Sequence, residues 1–316
     1  SHLISGHHSS HESLEIKAAK YLGFDQSLYF SSGYLANLTF FGSLLKKEDA
    51  IFSDKLNHAS LNDGAILSCA KFYRFKHLDL IHLEDLLKKS NEKNKIIVTD
   101  GVFSMDGDIA DIRSLLSLCH QYDAHLFVDD AHGYGVLGSD GQGILEHTAM
   151  NKLLSKKDRD RIIYMFTLGK SVGVSGAILC AKKNIIDFLI QKGKPYIYTT
   201  ATMPAIAEGI SLSLDLIKDG RILREKLIKN IQIFRESIRK KNLLMNSITA
   251  IQPILIGSPE QTLYTSACLL DQGFYVPAIR PPTVPKNQSR LRVSLSANHS
   301  KNDVLGLTKA INRLTR

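Results

Sequence analysis

Ala124-His125-Leu126-Phe127-Val128-Asp129-Asp130-Ala131-His132-Gly133 is the stretch on which the fold turns. Five mostly apolar residues run straight into two carboxylates, an imidazole and a glycine. The pattern reads as a buried strand that ends in a polar loop. Further on, Ile162–Phe166 is a second strand-like run, and it continues as Thr167-Leu168-Gly169-Lys170. Upstream, Lys95–Thr99 is a β-branched run, and Ile112, Leu115, Leu116 and Cys119 mark a helix between it and Ala124. Strands alternating with helices imply βαβ units and an α/β fold with a mostly parallel, doubly wound sheet. Open sheets of this kind hold ligands at the carboxyl ends of their strands. Asp129 and Lys170 stand at two such ends. On these two positions alone, a reactive pair and a plain loop ion pair both remain open.

The periodicity continues on either side. Residues 11–22 predict a helix with Leu14, Ala18, Ala19 and Leu22 on one stripe and Gly23 as its stop. A second helix is expected from about Tyr34 to Lys46, a short strand over Ala50-Ile51-Phe52, a helix over Ser60–Ser68 and a strand over Gly176–Cys180. Residues 203–241 read as one or two long helices with a charged outer face. A smaller α/β pattern follows, with strands near Ile251–Ile256, Tyr275–Ile279 and Arg290–Leu295 and a helix near Glu260–Leu270. The last helix starts at Ser300, with Asp303 completing a Ser-x-x-Asp capping box. A break near residue 215 divides the chain into a large domain, 1–215, and a small C-terminal domain, 216–316.

Composition bounds the function. The 316 residues are 44% hydrophobic and 22% charged, which excludes intrinsic disorder, a collagen repeat and a disulfide mini-scaffold. Forty basic against 31 acidic residues leave a net charge of +9, which suits polyanionic small molecules, acidic partners or nucleic acid without choosing among them. Cys69, Cys119, Cys180 and Cys268 form no C-x-x-C pair, so reduced, buried cysteines of a cytosolic protein are expected. No apolar run approaches the ~18 residues of a membrane span. Ser1-His2-Leu3-Ile4 has no secretory pattern. The expectation is a cytoplasmic protein with no membrane partner.

Several motifs mislead. Gly133-Tyr134-Gly135-Val136-Leu137-Gly138 fits G-x-G-x-x-G, but Ser139-Asp140-Gly141-Gln142-Gly143 follows where a dinucleotide fold needs a helix. Gly169-Lys170-Ser171 resembles the end of a P-loop, yet Tyr164 stands where that loop needs glycine. His2, His7, His8 and His11 cluster, but no cysteine or acidic pattern completes a zinc site, so solvated or substrate-facing histidines and no metal are expected. The lysine clusters at 46–47, 88–95 and 152–157 lack interleaved aromatics, so they read as solvated faces rather than a nucleic-acid platform.

Other junctions add polar groups. Ser32-Gly33-Tyr34 opens a helix, where amide N–H groups can approach an anion. Asn57-His58-Ala59-Ser60 places an aromatic ring in a turn, and Thr99-Asp100-Gly101 through Asp108 follows another strand. One polar group at each of several βα junctions is what a phosphorylated aromatic cofactor held by a lysine needs. A carboxylate would keep a pyridinium nitrogen protonated, a ring would stack, and a helix start would hold the phosphate.

The motifs SGHHSSHESLE (5–15), SSGYLAN (31–37), LNHASL (56–61), DGVFSMDGD (100–108), VDDAHGYGVLG (128–138) and TLGKSVGVSGA (167–177) resemble, in order, the α-oxoamine synthase family of pyridoxal 5'-phosphate (PLP) enzymes, fold type I. The resemblance covers nearly the whole chain. The segment AIRPPTVPKNQSRLRVSLSANH (278–299), with Ile279–Pro285 as its most specific run, is similar to members that join L-alanine to a pimeloyl thioester, of coenzyme A or acyl carrier protein, in biotin biosynthesis. A member using glycine or serine with another acyl thioester, and a truncated PLP-binding paralogue without activity, stay as alternatives.

The resemblance implies roles. Lys170 would hold PLP, Asp129 would pair with the pyridinium nitrogen, and His132 and Ser104 would reach the phenolic oxygen. His58 would stack on the ring and border the substrates. Gly33, Tyr34 and Thr167 would bind the phosphate, Arg292 would clamp the amino-acid carboxylate, and Thr283 would contact the acyl substrate. A homodimer with its site at the subunit interface is also implied. Three departures stand out. Leu168 replaces a usual phenylalanine, and Met150–Arg161 looks like a basic surface insertion. The family's helical arm before Ser5-Gly6-His7 is almost absent, which implies impaired acyl-substrate binding in this chain alone.

Overall fold

The computed structural model describes residues 1–149 and 154–315; the first part of the expected surface insertion, 150–153, lies outside the described residues. The chain forms two compact units. One comprises Ser1–Val102 and Ala110–Asp219, the other Phe103–Ile109 and Gly220–Arg316. The division falls just beyond the expected residue 215, and the sequence reading did not anticipate that residues 103–109 group with the C-terminal unit. The reason is specific bonding. Arg290 Nη1 donates to Asp106 Oδ1 at 2.7 Å, and the Ser247 and Thr249 hydroxyls donate to the Gly107 carbonyl at 2.8 and 3.1 Å.

The larger unit is built on seven strands: β1 (Gln26–Phe30), β2 (Ala50–Asp54), β3 (Lys71–Phe75), β4 (Lys95–Asp100), β5 (Ala124–Asp129), β6 (Ile162–Thr167) and β7 (Ala177–Ala181). Their order is β1-β7-β6-β5-β4-β2-β3. Strands β3, β2, β4, β5 and β6 run parallel. Strand β7 is antiparallel to both neighbours, β6 and β1. No helix separates β6 from β7, and a parallel return needs a crossover of a dozen or more residues. The Lys170 loop is therefore a hairpin-like connection.

Helices cover the sheet. They include α1 (Ser9–Leu22), α2 (Gly33–Leu44) and α3 (Ala59–Ser68). Gly23 ends α1 in the left-handed region at φ 72°, as a helix-stopping glycine does. Ser32 caps α2 by accepting from the Leu35 N–H. Buried Phe40 and Phe41 of α2 pack on Phe127 of β5, with ring centroids 4.9 and 5.0 Å apart. Burying each such ring contributes about 1.5–3 kcal/mol, so α2 is fixed firmly above the centre of the sheet.

The smaller unit has an antiparallel sheet of β8 (Ile251–Gly257), β9 (Ala278–Ile279) and β10 (Ser289–Ser294), in the order β8-β10-β9. The strand expected over 275–279 is thus only two residues long. Pro277 has no N–H to give a ladder, and Tyr275 is exposed. The capping box at the last helix forms: Ser300 Oγ accepts from Asp303 N, and Asp303 Oδ2 accepts from Ser300 N.

The G-x-G-x-x-G segment is loop, with Gly135 and Gly138 at φ 76° and 84°, and the next helix starts only at Ile144. Cys119 and Cys180 are buried, but Cys69 is exposed and Cys268 half-buried, against the expectation of four buried thiols; all four are free. Among the described residues no helix is long and apolar enough to cross a membrane.

Candidate active site

The site grows from the carboxyl end of β5. Asp129 is buried, and the register sets it directly opposite Asp100 at the end of β4. Two acids side by side in a dry environment repel. Burial, then the neighbouring Asp129 charge, pushes the Asp100 carboxyl well above the usual range. Burial also raises Asp129, but a hydrogen bond from Asn37 and the charges of Lys170 and His58 pull it back.

Asn37 lies on α2, one turn beyond Gly33. Its Nδ2 donates to Asp129 Oδ2 at 3.0 Å and to Ser60 Oγ at 2.9 Å. Ser60 Oγ in turn lies 2.7 Å from His58 Nδ1, and the Ser60 N–H points at the same nitrogen. With two donors on Nδ1, the neutral imidazole carries its proton on Nε2. His58 itself is exposed, at the N-cap of α3. Its backbone N–H donates to Asp100 Oδ1 at 3.3 Å.

Lys170 and His132 meet. Nζ of the lysine lies 2.9 Å from Nε2 of the histidine. Lys170 and Gly169 are exposed on the β6–β7 connection, and the charge of Lys170 is felt by the buried Asp129. Thr167, at the end of β6, donates from Oγ1 to the Gly176 carbonyl at 3.2 Å. Gly33 and Tyr34 form the first turn of α2, whose N–H groups have no partner inside the helix. The Tyr34 hydroxyl bonds to Asp63.

Ser104, Thr283 and Arg292 belong to the smaller unit. There Arg292 Nε donates to the Ser104 carbonyl at 2.6 Å and Nη1 to Ser294 Oγ at 2.9 Å. Thr283 is exposed, in a turn closed by its N–H on the Arg280 carbonyl. The structure thus brings Asp129, His58, His132 and Lys170 together in the larger unit and Ser104 with Arg292 in the smaller one.

Asn37 and Ser60 escaped the sequence reading, as did the place of Asp100 beside Asp129. One signal was present for Asn37: a lone amide inside the apolar run Gly33–Leu44. Asp130 is a further buried acid, and it holds the loop. Its Oδ2 accepts from Tyr164 Oη at 2.5 Å and from Ile144 N at 2.7 Å. A Cβ on Gly143, at φ 79°, would lie 2.0 Å from that oxygen, so only glycine fits there.

A primary amine, a buried acid that accepts a hydrogen bond from Asn37, an imidazole and a helix start together match the needs of PLP: an aldehyde partner, a pyridinium partner, a stacking ring and an anion cradle. The donor set fits the cofactor.

Comparison with known proteins agrees. The aminotransferase class I and II pattern matches residues 3–311. The chain is 48% identical over 315 residues to the 8-amino-7-oxononanoate synthase of Methylobacillus flagellatus, covering 99% of this chain and 78% of that protein. It is 48% identical over 299 residues to the enzyme of the same name from Chromobacterium violaceum, covering 95% and 76%. Among solved structures it resembles 8-amino-7-oxononanoate synthase from Francisella tularensis, with TM-score 0.85, 32% identity, and 97% and 87% coverage. It also resembles a serine palmitoyltransferase from S. paucimobilis solved with PLP and myriocin, with TM-score 0.92, 26% identity, and 99% and 78% coverage. The chain belongs to the aminotransferase class I and II family and, within it, to the α-oxoamine synthases, PLP-dependent enzymes of fold type I.

Proposed function

We infer that this chain performs the reaction of the 8-amino-7-oxononanoate synthases: L-alanine and a pimeloyl thioester give 8-amino-7-oxononanoate, carbon dioxide and free thiol, a step of biotin biosynthesis. The similarity to proteins of that name across nearly the whole chain carries the reading. When bound, PLP supplies an electron sink for the carbanion at the alanine α-carbon.

The chain's own groups supply the rest. Lys170 Nζ would hold the cofactor through its aldehyde, and the same amine, as a primary amine beside the bound amino acid, would move the α-proton as general base. His132 Nε2, 2.9 Å from Nζ, orients that amine. Asp129, steadied by Asn37, holds a proton on the ring nitrogen. His58, its Nδ1 held by Ser60, would stack on the cofactor ring. Gly33, Tyr34 and Thr167 take the phosphate, and Ser104 takes the phenolic oxygen. Arg292 binds the alanine carboxylate, and Thr283 contacts the acyl chain.

The net charge of +9 suits coenzyme A or an acidic carrier protein as the thioester's bearer. A homodimer and a cytoplasmic setting belong to the same reading. Light scattering of the purified protein tests the dimer. The experiment for the reaction is an assay pairing alanine, glycine and serine with pimeloyl, acetyl and palmitoyl thioesters. Turnover greatest with alanine and pimeloyl thioester is expected; a clear preference for another pair overturns the substrate assignment.

A further inference from the structure

The N-terminal histidines were expected to be solvated or substrate-facing, yet His2 and His11 are buried and pack with His7 into a triangle of rings. The ring centroids are 5.3 Å (His2–His7), 5.2 Å (His2–His11) and 5.5 Å (His7–His11) apart. Three imidazoles on one tetrahedral ion have this spacing. With metal–nitrogen bonds of ~2.0–2.1 Å, each ring centre lies about 3.2 Å from the metal and about 5.2 Å from the next ring. One ring nitrogen from each histidine lies within 4.8 Å of the other two. The Nδ1 atoms of His2 and His7 are 3.1 Å apart, close to the ~3.3 Å edge of a zinc–nitrogen tetrahedron.

The surroundings suit metal ligands. A ligating imidazole generally gives its other N–H to a carbonyl or carboxylate. His11 Nε2 lies 2.9 Å from the Thr202 carbonyl, and His7 Nε2 lies 3.7 Å from Glu15 Oε2. His2 stacks on Tyr196 at 4.7 Å. His11 Nδ1 accepts from the His8 N–H at 3.0 Å, and ligation through that atom replaces this one cap bond. His7, Glu12 and Glu15 border an open groove that admits an ion.

We propose that His2, His7 and His11 form a binding site for a divalent transition-metal ion of the zinc class, with a fourth position open to water and Glu15 supporting His7 from behind. The ion ties residues 2–7 to α1 and to the segment around Thr202. It takes no part in the chemistry at Lys170.

The test uses the PLP-loaded chain, dialysed against chelator and titrated with Zn2+ by calorimetry, with Co2+ as a spectroscopic substitute. One equivalent of zinc and the intense visible bands of tetrahedral Co2+ are expected. His7→Asn, at an exposed position, and His2→Ala should each weaken zinc binding at least tenfold, and Glu15→Gln by about tenfold. His8→Ala, outside the triangle, should leave stoichiometry and affinity unchanged. Circular dichroism and retained cofactor absorbance show that each variant is folded. Absence of stoichiometric zinc, or affinity that His7→Asn leaves unchanged, overturns the proposal. Neither result bears on the reaction assigned above.

Discussion

Asn37 donates one N–H to Asp129 and the other to Ser60, at 3.0 and 2.9 Å. One amide on α2 thereby links the buried acid to Ser60 and, through Ser60, to the exposed His58. Asp129 sits fully buried beside a second acid, where burial favours its neutral form. A donor on the carboxylate opposes that.

Removing this donor should be felt by the cofactor. Asn37→Leu keeps the side chain's size and deletes the hydrogen bond. A bond to a charged group is worth ~1.5–3 kcal/mol, so PLP affinity should fall about 10- to 100-fold. Fluorescence titration of the apoprotein with PLP reads this directly. Unchanged affinity would mean that Asn37 does not support Asp129.

Arg292 should govern the amino acid rather than the cofactor. Arg292→Lys loses the planar, two-pronged donor. The KM for alanine should rise about 10-fold or more, with PLP affinity unaltered. Steady-state kinetics beside a PLP titration separates the two, and an unchanged KM would remove Arg292 from the substrate site.

Asp130 predicts a pH dependence of stability. Burial pushes its carboxyl up to about 7, against an ordinary value near 3.8. The folded state holds this proton more tightly than the unfolded chain. The stabilisation is therefore complete below about pH 4 and is lost as pH rises through about 7. The span amounts to about 4 kcal/mol. Asp130→Asn carries no titrating proton, so urea unfolding at pH 4.5 and 7.5 should show a smaller difference in the variant. An equal difference in both proteins contradicts the assignment.

The smaller unit has its own weak point. The Arg290 side chain is 1% exposed and pairs with Asp106 at 2.7 Å. Breaking one side of a buried pair typically costs about 3–5 kcal/mol, whereas replacing both with apolar groups is often neutral. Arg290→Met should therefore destabilise strongly, and Arg290→Met with Asp106→Leu should recover most of the loss. Equilibrium denaturation of the single and double variants measures this.

Much of the larger unit was legible. Strands β4, β5 and β6 are continuous apolar or β-branched runs, because a central parallel strand is buried on both faces. The edge strands β1 and β3, Gln26–Phe30 and Lys71–Phe75, mix polar with aromatic residues and escaped notice. The reversal of β7 also left no local mark, since direction depends on the length of the connection rather than on the strand. In the site, Asp129, His132 and Lys170 were readable because each follows a strand. Asn37 and Ser60 were not, because their partners lie 23 and 92 positions away; Asp100, legible as a polar group after a strand, gave no sign that it stands beside Asp129. The grouping of residues 103–109 with the smaller unit rests on Arg290 and Asp106, 184 positions apart, and no periodicity reports such a pair.

The central claim is that Lys170 is the amine that carries the cofactor. Borohydride reduction of the PLP-loaded protein, followed by peptide mapping, tests it most directly. The account predicts a single pyridoxyl adduct on Lys170, absent in Lys170→Ala, with turnover lowered on the order of 10^2–10^4-fold in that variant. An adduct on another lysine, or covalent labelling that survives Lys170→Ala, would contradict it.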